Sequence, residues 1–275
     1  MKNTTQVIAI ANQKGGVGKT TTTLNLGAAL ALIQNKKVLL IDLDPQANLS
    51  EYLGYSDDEK PTMADLIIEV ATKSVISSDT VKNCIRFNEN NKLYYIPSDI
   101  NLANADVYMS NALSRETILK RILSDNVIND YDFVLIDCLP SLGVLLINAM
   151  SAAHKILIPV QTQKFSMDGL QTLTELLEQI RSTINSQLDL MGIIPTMVDY
   201  TNVSKKALET LATRYETKVL NSIIHKSVEA AKSSESGNAL CKTKNKLGNE
   251  YKNLSEEILK LTAQTPDTQI DIFEG

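Results

Sequence analysis

The chain has 275 residues, 43% hydrophobic and 21% charged, which is enough apolar material for a buried core and excludes a disordered chain. No stretch approaches ~18 uncharged apolar residues, so no membrane-spanning helix is expected, and the N-terminal apolar run is too short for a signal peptide. The formal net charge of −5 taken over the whole chain argues against a nucleic-acid partner.

In chain order, residues 7–11 form a short, near-continuous apolar run, the pattern of a strand buried on both faces. A glycine-rich string follows and opens a helical segment at 20–34. Residues 37–42 predict a second buried strand. A short helix is expected at 63–71, inside a stretch (56–91) whose pattern fits neither period cleanly. Further strands are expected at 93–96, 131–137, 155–160 and 190–196, and helices at 114–126, 142–153, 166–186, 202–215 and 248–263. Such alternation builds βαβ units, so the expected fold is α/β: a single doubly wound, mostly parallel sheet with helices on both faces. Nothing in the composition divides the chain, which predicts one domain over residues 1–264 and a polar, acidic tail at 265–275. Three cysteines, Cys84, Cys138 and Cys241, are far apart and odd in number, and suit neither a disulfide framework nor a zinc site. The cytoplasm is therefore the default compartment.

The string Asn12-Gln13-Lys14-Gly15-Gly16-Val17-Gly18-Lys19-Thr20-Thr21 stands between the first strand and the first helix. Glycines there let the backbone turn with its N–H groups inward, and the helix adds its positive end, which predicts a phosphate-binding loop. Lys19 would reach the β- and γ-phosphates, the Thr20 hydroxyl would help to hold Mg²⁺, and Thr21 lies within reach of the nucleotide. An ordinary strand-to-helix turn does not explain the Lys-Thr pair at the helix start.

Asp42 and Asp44, in Asp42-Leu43-Asp44-Pro45-Gln46-Ala47-Asn48, lie past the second strand, at the sheet end where α/β proteins bind ligands. Pro45 breaks the strand, so Asp44 is expected to lead a mobile loop, from which it could orient an attacking water. Asp42 could enter the Mg²⁺ shell; two solvated carboxylates at a strand end are the alternative. Asp137 ends the next buried strand, Phe133-Val134-Leu135-Ile136-Asp137, and is expected to meet Mg²⁺ through water. Cys138-Leu139-Pro140-Ser141-Leu142-Gly143 follows as a γ-phosphate-sensing loop, with the Gly143 N–H as a contact. Residues 200–252 hold ten basic against five acidic side chains, a surplus of +5 that leaves −10 for the rest. That segment reads either as a positive face for a polyanion or as a set of solvated helix faces.

The loop departs from the usual G-x-x-x-x-G-K-[ST] form: Gln13 replaces the first glycine and a second lysine, Lys14, opens it. In this the chain resembles the deviant Walker A ATPases, whose motif is K-G-G-x-G-K-[ST]. With the strings at 42–48 and 137–143, and Ile158-Pro159-Val160-Gln161 followed by Gly169-Leu170, it is similar to the ParA/Soj family of DNA-partition ATPases over nearly its whole length. The resemblance implies a P-loop ATPase that uses ATP and Mg²⁺, with Lys14 crossing to the partner's nucleotide in an ATP-sandwich homodimer. It implies binding of double-stranded DNA without sequence preference, through basic residues on the late helices. Lys205, Lys206, Lys226, Lys232, Lys242, Lys244 and Lys246 are the candidates, and their scarcity of aromatic neighbours suits duplex backbone contact. It further implies slow hydrolysis stimulated by a ParB-type centromere-binding partner, in segregation of a plasmid or chromosome, and a cytoplasmic protein associated with the nucleoid when ATP-bound. Met197 and Asp199, after the 190–196 strand, are the neighbourhood expected to read adenine.

Two positions depart from the family pattern: Leu139 stands where a second proline is usual, and His225-Lys226 replaces the commoner Pro-Arg-Asn. No extension precedes the first strand, so no helix-turn-helix operator reader is expected, and the DNA binding should be non-specific. A membrane-cycling ATPase like MinD would need a basic amphipathic C-terminal helix, whereas residues 266–275 are acidic and would be repelled by anionic lipid. An iron–sulfur reductase like the nitrogenase iron protein would need two cysteines near a dimer axis, and Cys84 has no glycine-rich loop around it. A scaffold that binds ATP without cleaving it is disfavoured by the presence of both Asp44 and Asp137.

Overall fold

Apolar runs with β-branched residues set the strands, and the helices between them range from one-faced, as at 167–183, to buried nearly all round, as at 19–32 and 144–152. The computed structural model describes residues 4–164 and 167–263, so the expected tail at 265–275 lies outside the described residues. The chain begins with β1 (Gln6–Ile10), α1 (Lys19–Leu32), β2 (Val38–Leu43), α2 (Asn48–Tyr52) and α3 (Met63–Lys73). It continues with α4 (Ser78–Asn83), β3 (Arg86–Asn88), β4 (Leu93–Ile96), α5 (Ala105–Met109), α6 (Ile118–Ile122) and α7 (Asp125–Ile128). Then come β5 (Phe133–Cys138), α8 (Val144–Ala152), β6 (Lys155–Gln161), α9 (Met167–Thr183) and β7 (Asp189–Thr196). The last helices are α10 (Asn202–Tyr215), α11 (Glu229–Ser236) and α12 (Lys246–Ala263).

Among the described residues, seven strands form one sheet in the order β3-β4-β2-β5-β1-β6-β7. Every neighbouring pair is parallel except β3 with β4. Alternate strand residues feed two cores, as the period of two requires. Ile8, Ile10, Leu40 and Leu135 face α1 and α12, whereas Val7, Ala9, Ile41 and Ile136 face α3, α6, α8 and α9. The two covered faces explain why the central strands are apolar throughout.

Both sheet edges are occupied. At one, β3 is only three residues long and its Arg86 side chain turns inward, pairing with Asp58 at 2.6 Å and donating to the carbonyls of Pro61 and Cys84. At the other, residues 219–226 run beside β7: Leu220 N donates to Ile193 O at 2.9 Å and Ile224 N to Pro195 O at 3.0 Å. Val198 and His225 form a parallel bridge just beyond.

The doubly wound sheet is as expected, and the differences are local. The stretch 56–91 resolves into α3, α4 and the antiparallel β3; its polar run hides a strand whose inward residue is an ion-paired arginine rather than an aliphatic. The single helix expected at 114–126 is broken into a 3₁₀ turn at Arg115–Thr117, then α6 and α7. The break is imposed by tertiary contacts. Asn148 of α8 accepts from the Leu119 amide at 3.0 Å and donates to Arg115 O at 2.8 Å, starting α6 there. β5 begins two residues later than expected, at Phe133, because the Tyr131 amide closes a turn on Ile128 O.

Candidate functional site

The C-terminal ends of β1, β2 and β5 lie side by side, with Ile10 opposite Asp137 and Asp137 opposite Asp42. From this edge the loop at residues 11–18 leaves β1 and enters α1. Gly16 (φ 71°) and Gly18 (φ 90°) take left-handed backbone, which a side chain would strain at the point where the loop becomes helix. Asn12, which sequence reasoning passed over, fastens the loop: its amide donates to Pro159 O at 2.8 Å and its Oδ1 accepts from the Lys14 amide at 3.0 Å. Thr196 at the end of β7 donates to Val17 O at 2.8 Å, anchoring the other limb. Gln13 packs so tightly on α9 that a Cβ at Gly169 would stand 2.5 Å from its amide nitrogen.

Gly15 and Gly16 are exposed, Val17 is buried, and Thr20 and Thr21 occupy the first turn of α1. Lys19 is nearly buried and donates from Nζ to Lys14 O at 3.0 Å. Burial lowers its pKa, against the opposing pull of Asp137, Cys138 and Asp44.

Asp137 is 1% exposed; its Oδ1 accepts from Thr23 Oγ1 at 3.2 Å, and its Oδ2 has no hydrogen-bond partner among the described residues. Burial raises its pKa, and the neighbouring Asp42 carboxylate raises it further, while Thr20 and Lys19 pull the other way. Asp42, also 1% exposed, is likewise raised by burial, opposed by its bonds from Ser50 and the Asp44 amide. Two buried acids side by side, one with an unpartnered oxygen and both pushed toward their neutral forms, would be favoured as carboxylates by a bound cation. The oxygen donors, with the Thr20 hydroxyl beside them, are of the hard type that suits Mg²⁺.

Asp44 stands on a tight turn after β2 in which its Oδ1 accepts from the Gln46 amide at 2.9 Å and its carbonyl from the Ala47 amide at 2.9 Å. Gly143 caps α8 and donates its amide to Ser141 Oγ at 3.1 Å. Met197 lies against the loop: its Cε would be 3.9 Å from a Cβ at Gly18. Asp199 is committed to the start of α10, accepting from Thr201 Oγ1 at 2.6 Å and Ser204 Oγ at 2.7 Å, as well as from Gln163. The Thr201 and Ser204 hydroxyls hold its carboxyl well below the ordinary range. The structure thus brings Lys14, Lys19, Thr20, Asp42, Asp44, Asp137 and Met197 to one edge and leaves Asp199 a capping role.

The basic residues divide. Lys226 and Lys246 line one pocket of about 380 Å³ with Asp199, Tyr200, His225 and Glu250. Lys246 Nζ bonds the Tyr200 hydroxyl at 3.2 Å, and His225 Nδ1 is 2.7 Å from Glu250 Oε1. Lys205 and Lys206 are exposed on α10 and Lys244 is exposed between Leu240–Lys242 and α12. Lys232 is paired with Glu229 at 2.8 Å, and Lys242 bonds Asn90 Oδ1 at 2.6 Å.

Known proteins share this sequence pattern and fold. The family model described as AAA domain matches residues 5–190. The sporulation initiation inhibitor protein Soj of Bacillus subtilis is 38% identical over 235 residues, covering 84% of this chain and 88% of that protein. The chromosome partitioning protein ParA of Caulobacter vibrioides is 36% identical, over 86% of each. Among solved structures, cobyrinic acid a,c-diamide synthase of Mycobacterium smegmatis, with bound ATP analog and magnesium, superposes with a TM-score of 0.79 at 33% identity, over 94% of this chain and 95% of that one. With its loop, its two buried acids and relatives this similar over most of their length, the chain belongs to the ParA/Soj family of P-loop partition ATPases.

Proposed function

We propose that the chain binds ATP with Mg²⁺ in the 12–20 loop, dimerises on it, grips duplex DNA as a dimer, and is released when the nucleotide is hydrolysed under the control of a ParB-type partner. The observation that carries the nucleotide reading is the unpartnered, buried Oδ2 of Asp137 beside Lys19 and Thr20. A buried carboxylate oxygen in that state is costly alone and favourable next to a cation. Asp137 and Thr20 hold the metal side of the site, and Mg²⁺ when bound neutralises phosphate charge. The amides of the loop and the start of α1 would receive the phosphates, with Met197 beside the loop. Lys19, already relieved of part of its hydration, pairs with phosphate oxygens. Asp44 orients the attacking water. Lys14, half-buried on the loop's outer limb, reaches the second copy's phosphates and supplies charge where it develops.

Two copies joined through nucleotide double the number of lysines facing DNA, which raises affinity by linkage without new contacts within either copy. The reading is tested by light scattering of the purified chain with and without ATP and Mg²⁺. The wild type becomes dimeric, Lys14→Ala stays monomeric, and Asp44→Ala remains dimeric without turnover. A dimer of unchanged amount in the Lys14 variant refutes the contact in trans.

A further inference from the structure

Asp42 spends both of its oxygens on one short segment. Oδ1 accepts from the Asp44 amide at 3.1 Å, and Oδ2 accepts from the Ser50 amide at 2.9 Å and the Ser50 hydroxyl at 2.6 Å. A single carboxylate therefore grips the segment 44–50 at both ends. The Ser50 hydroxyl in turn accepts from the Ser98 amide at 2.9 Å, tying the segment to the chain leaving β4. Ser98 and its neighbours are themselves fixed: Met63 N donates to Pro97 O at 2.9 Å, and Thr62 Oγ1 bonds Asp99. Asp42, Ser50 and Ser98 are 1%, 0% and 0% exposed, so bulk water does not share these bonds.

We propose that Ser50 is a positioning residue for hydrolysis: its buried hydroxyl, held between the Asp42 carboxylate and the Ser98 amide, fixes the turn that carries Asp44. The proposal rests on the reading of Asp44 as the water-orienting group. The position requires a hydroxyl, because the group must donate to a carboxylate and accept from an N–H at once. Alanine keeps the amide bond to Asp42 but deletes the donor and strands the Ser98 N–H, both in a dry setting. The loop–phosphate contacts are not touched, so nucleotide affinity and dimer formation should survive while the Asp44 turn loosens. Misplacement of a reacting group by ~1 Å costs ~10²-fold in rate.

The test measures kcat and KM for ATP hydrolysis by the full chain, with melting temperature and ATP-dependent dimerisation, for wild type, Ser50→Ala, Ser50→Cys, Ser50→Thr and Asp44→Ala. Ser50→Ala is expected to lower kcat by ~10–100-fold with KM within ~2-fold and the dimer retained. Ser50→Cys, nearly isosteric but a weak donor, falls between it and wild type and carries the test should the alanine variant unfold. Ser50→Thr, which keeps the hydroxyl, restores kcat to within ~5-fold of wild type. Wild-type kcat in folded Ser50→Ala or Ser50→Cys overturns the proposal, as does a loss carried by KM or one that folded Ser50→Thr does not reverse. If Asp44→Ala keeps wild-type turnover, the Asp44 reading fails instead; if it is inactive while Ser50→Ala is fully active, only the role of Ser50 falls.

Discussion

Single side chains around the nucleotide edge differ mainly in how much of their bonding capacity is already used. Asp137 keeps one oxygen open, Asp42 keeps none, and Asp199 is fully occupied at the start of α10. The phosphate-loop string from Lys14 to Thr20 was legible in the sequence because glycines, a lysine and a hydroxyl at fixed spacing between a strand and a helix mark such a loop, whereas the roles of its single residues are proposals. Asn12 and Ser50 were not legible, since a lone polar residue beside a motif gives no sign of which distant backbone group it will bond. Asp199 is ambiguous for the same reason: an acid after a strand is equally suited to a ligand and to a helix cap, and here it accepts from the Thr201 and Ser204 hydroxyls. At the cysteines burial is the largest influence, joined at Cys138 by the neighbouring Asp137 charge. Burial pushes the Cys84 thiol up to about 11 and raises Cys138 and Cys241 as well. Little thiolate exists near neutral pH, so the native chain should react with a disulfide reagent only on a timescale of hours, and all three thiols should titrate at once after unfolding. A thiol labelled within seconds in the folded protein contradicts this.

At the scale of helices and strands, chain segments with clear periodicity were predicted well and those set by tertiary contacts were not. Central strands buried on both faces leave a plain apolar signal, whereas β3 and the α6 start depend on Arg86 and Asn148 reaching partners far away in sequence. α12 shows how closely two segments can be fitted. A Cβ at Gly248 would lie 2.3 Å from Leu240 O and 2.9 Å from Thr243 O, both backbone atoms that cannot swing aside. At Gly27, on α1 over the sheet, the clash is 2.9 Å with the movable Leu40 Cδ2. Gly248→Ala should therefore destabilise by about 3 kcal/mol, and Gly27→Ala by no more than about 1 kcal/mol, since helix propensity offsets part of its overpacking. Urea midpoints of the two variants check the order, and equal midpoints would show that the 240–243 turn yields freely.

For the whole molecule, the proposed binding of a polyanion has to work against a net charge of −5 over the full chain. Its basic surplus is local, and the proposed dimer would offer the exposed Lys226 and Lys246 of both copies to the ligand. With four to six phosphate contacts in all, affinity for random duplex should fall about 10²–10³-fold between ~50 and ~200 mM salt. Replacing Lys226 and Lys246 with alanine should flatten that dependence, read by fluorescence anisotropy in ATP and Mg²⁺. A slope unchanged by the double substitution places the contacts elsewhere. The two closed sheet edges constrain assembly in a different way. With β3 cut short by an inward arginine and β7 flanked by residues 219–226, neither rim offers a long row of free main-chain N–H and C=O groups. Growth by adding ribbon to ribbon, the route to cross-β aggregates, is disfavoured at both ends, so the proposed dimer would join its copies through side chains and ligands, whose contacts can be undone by chemistry.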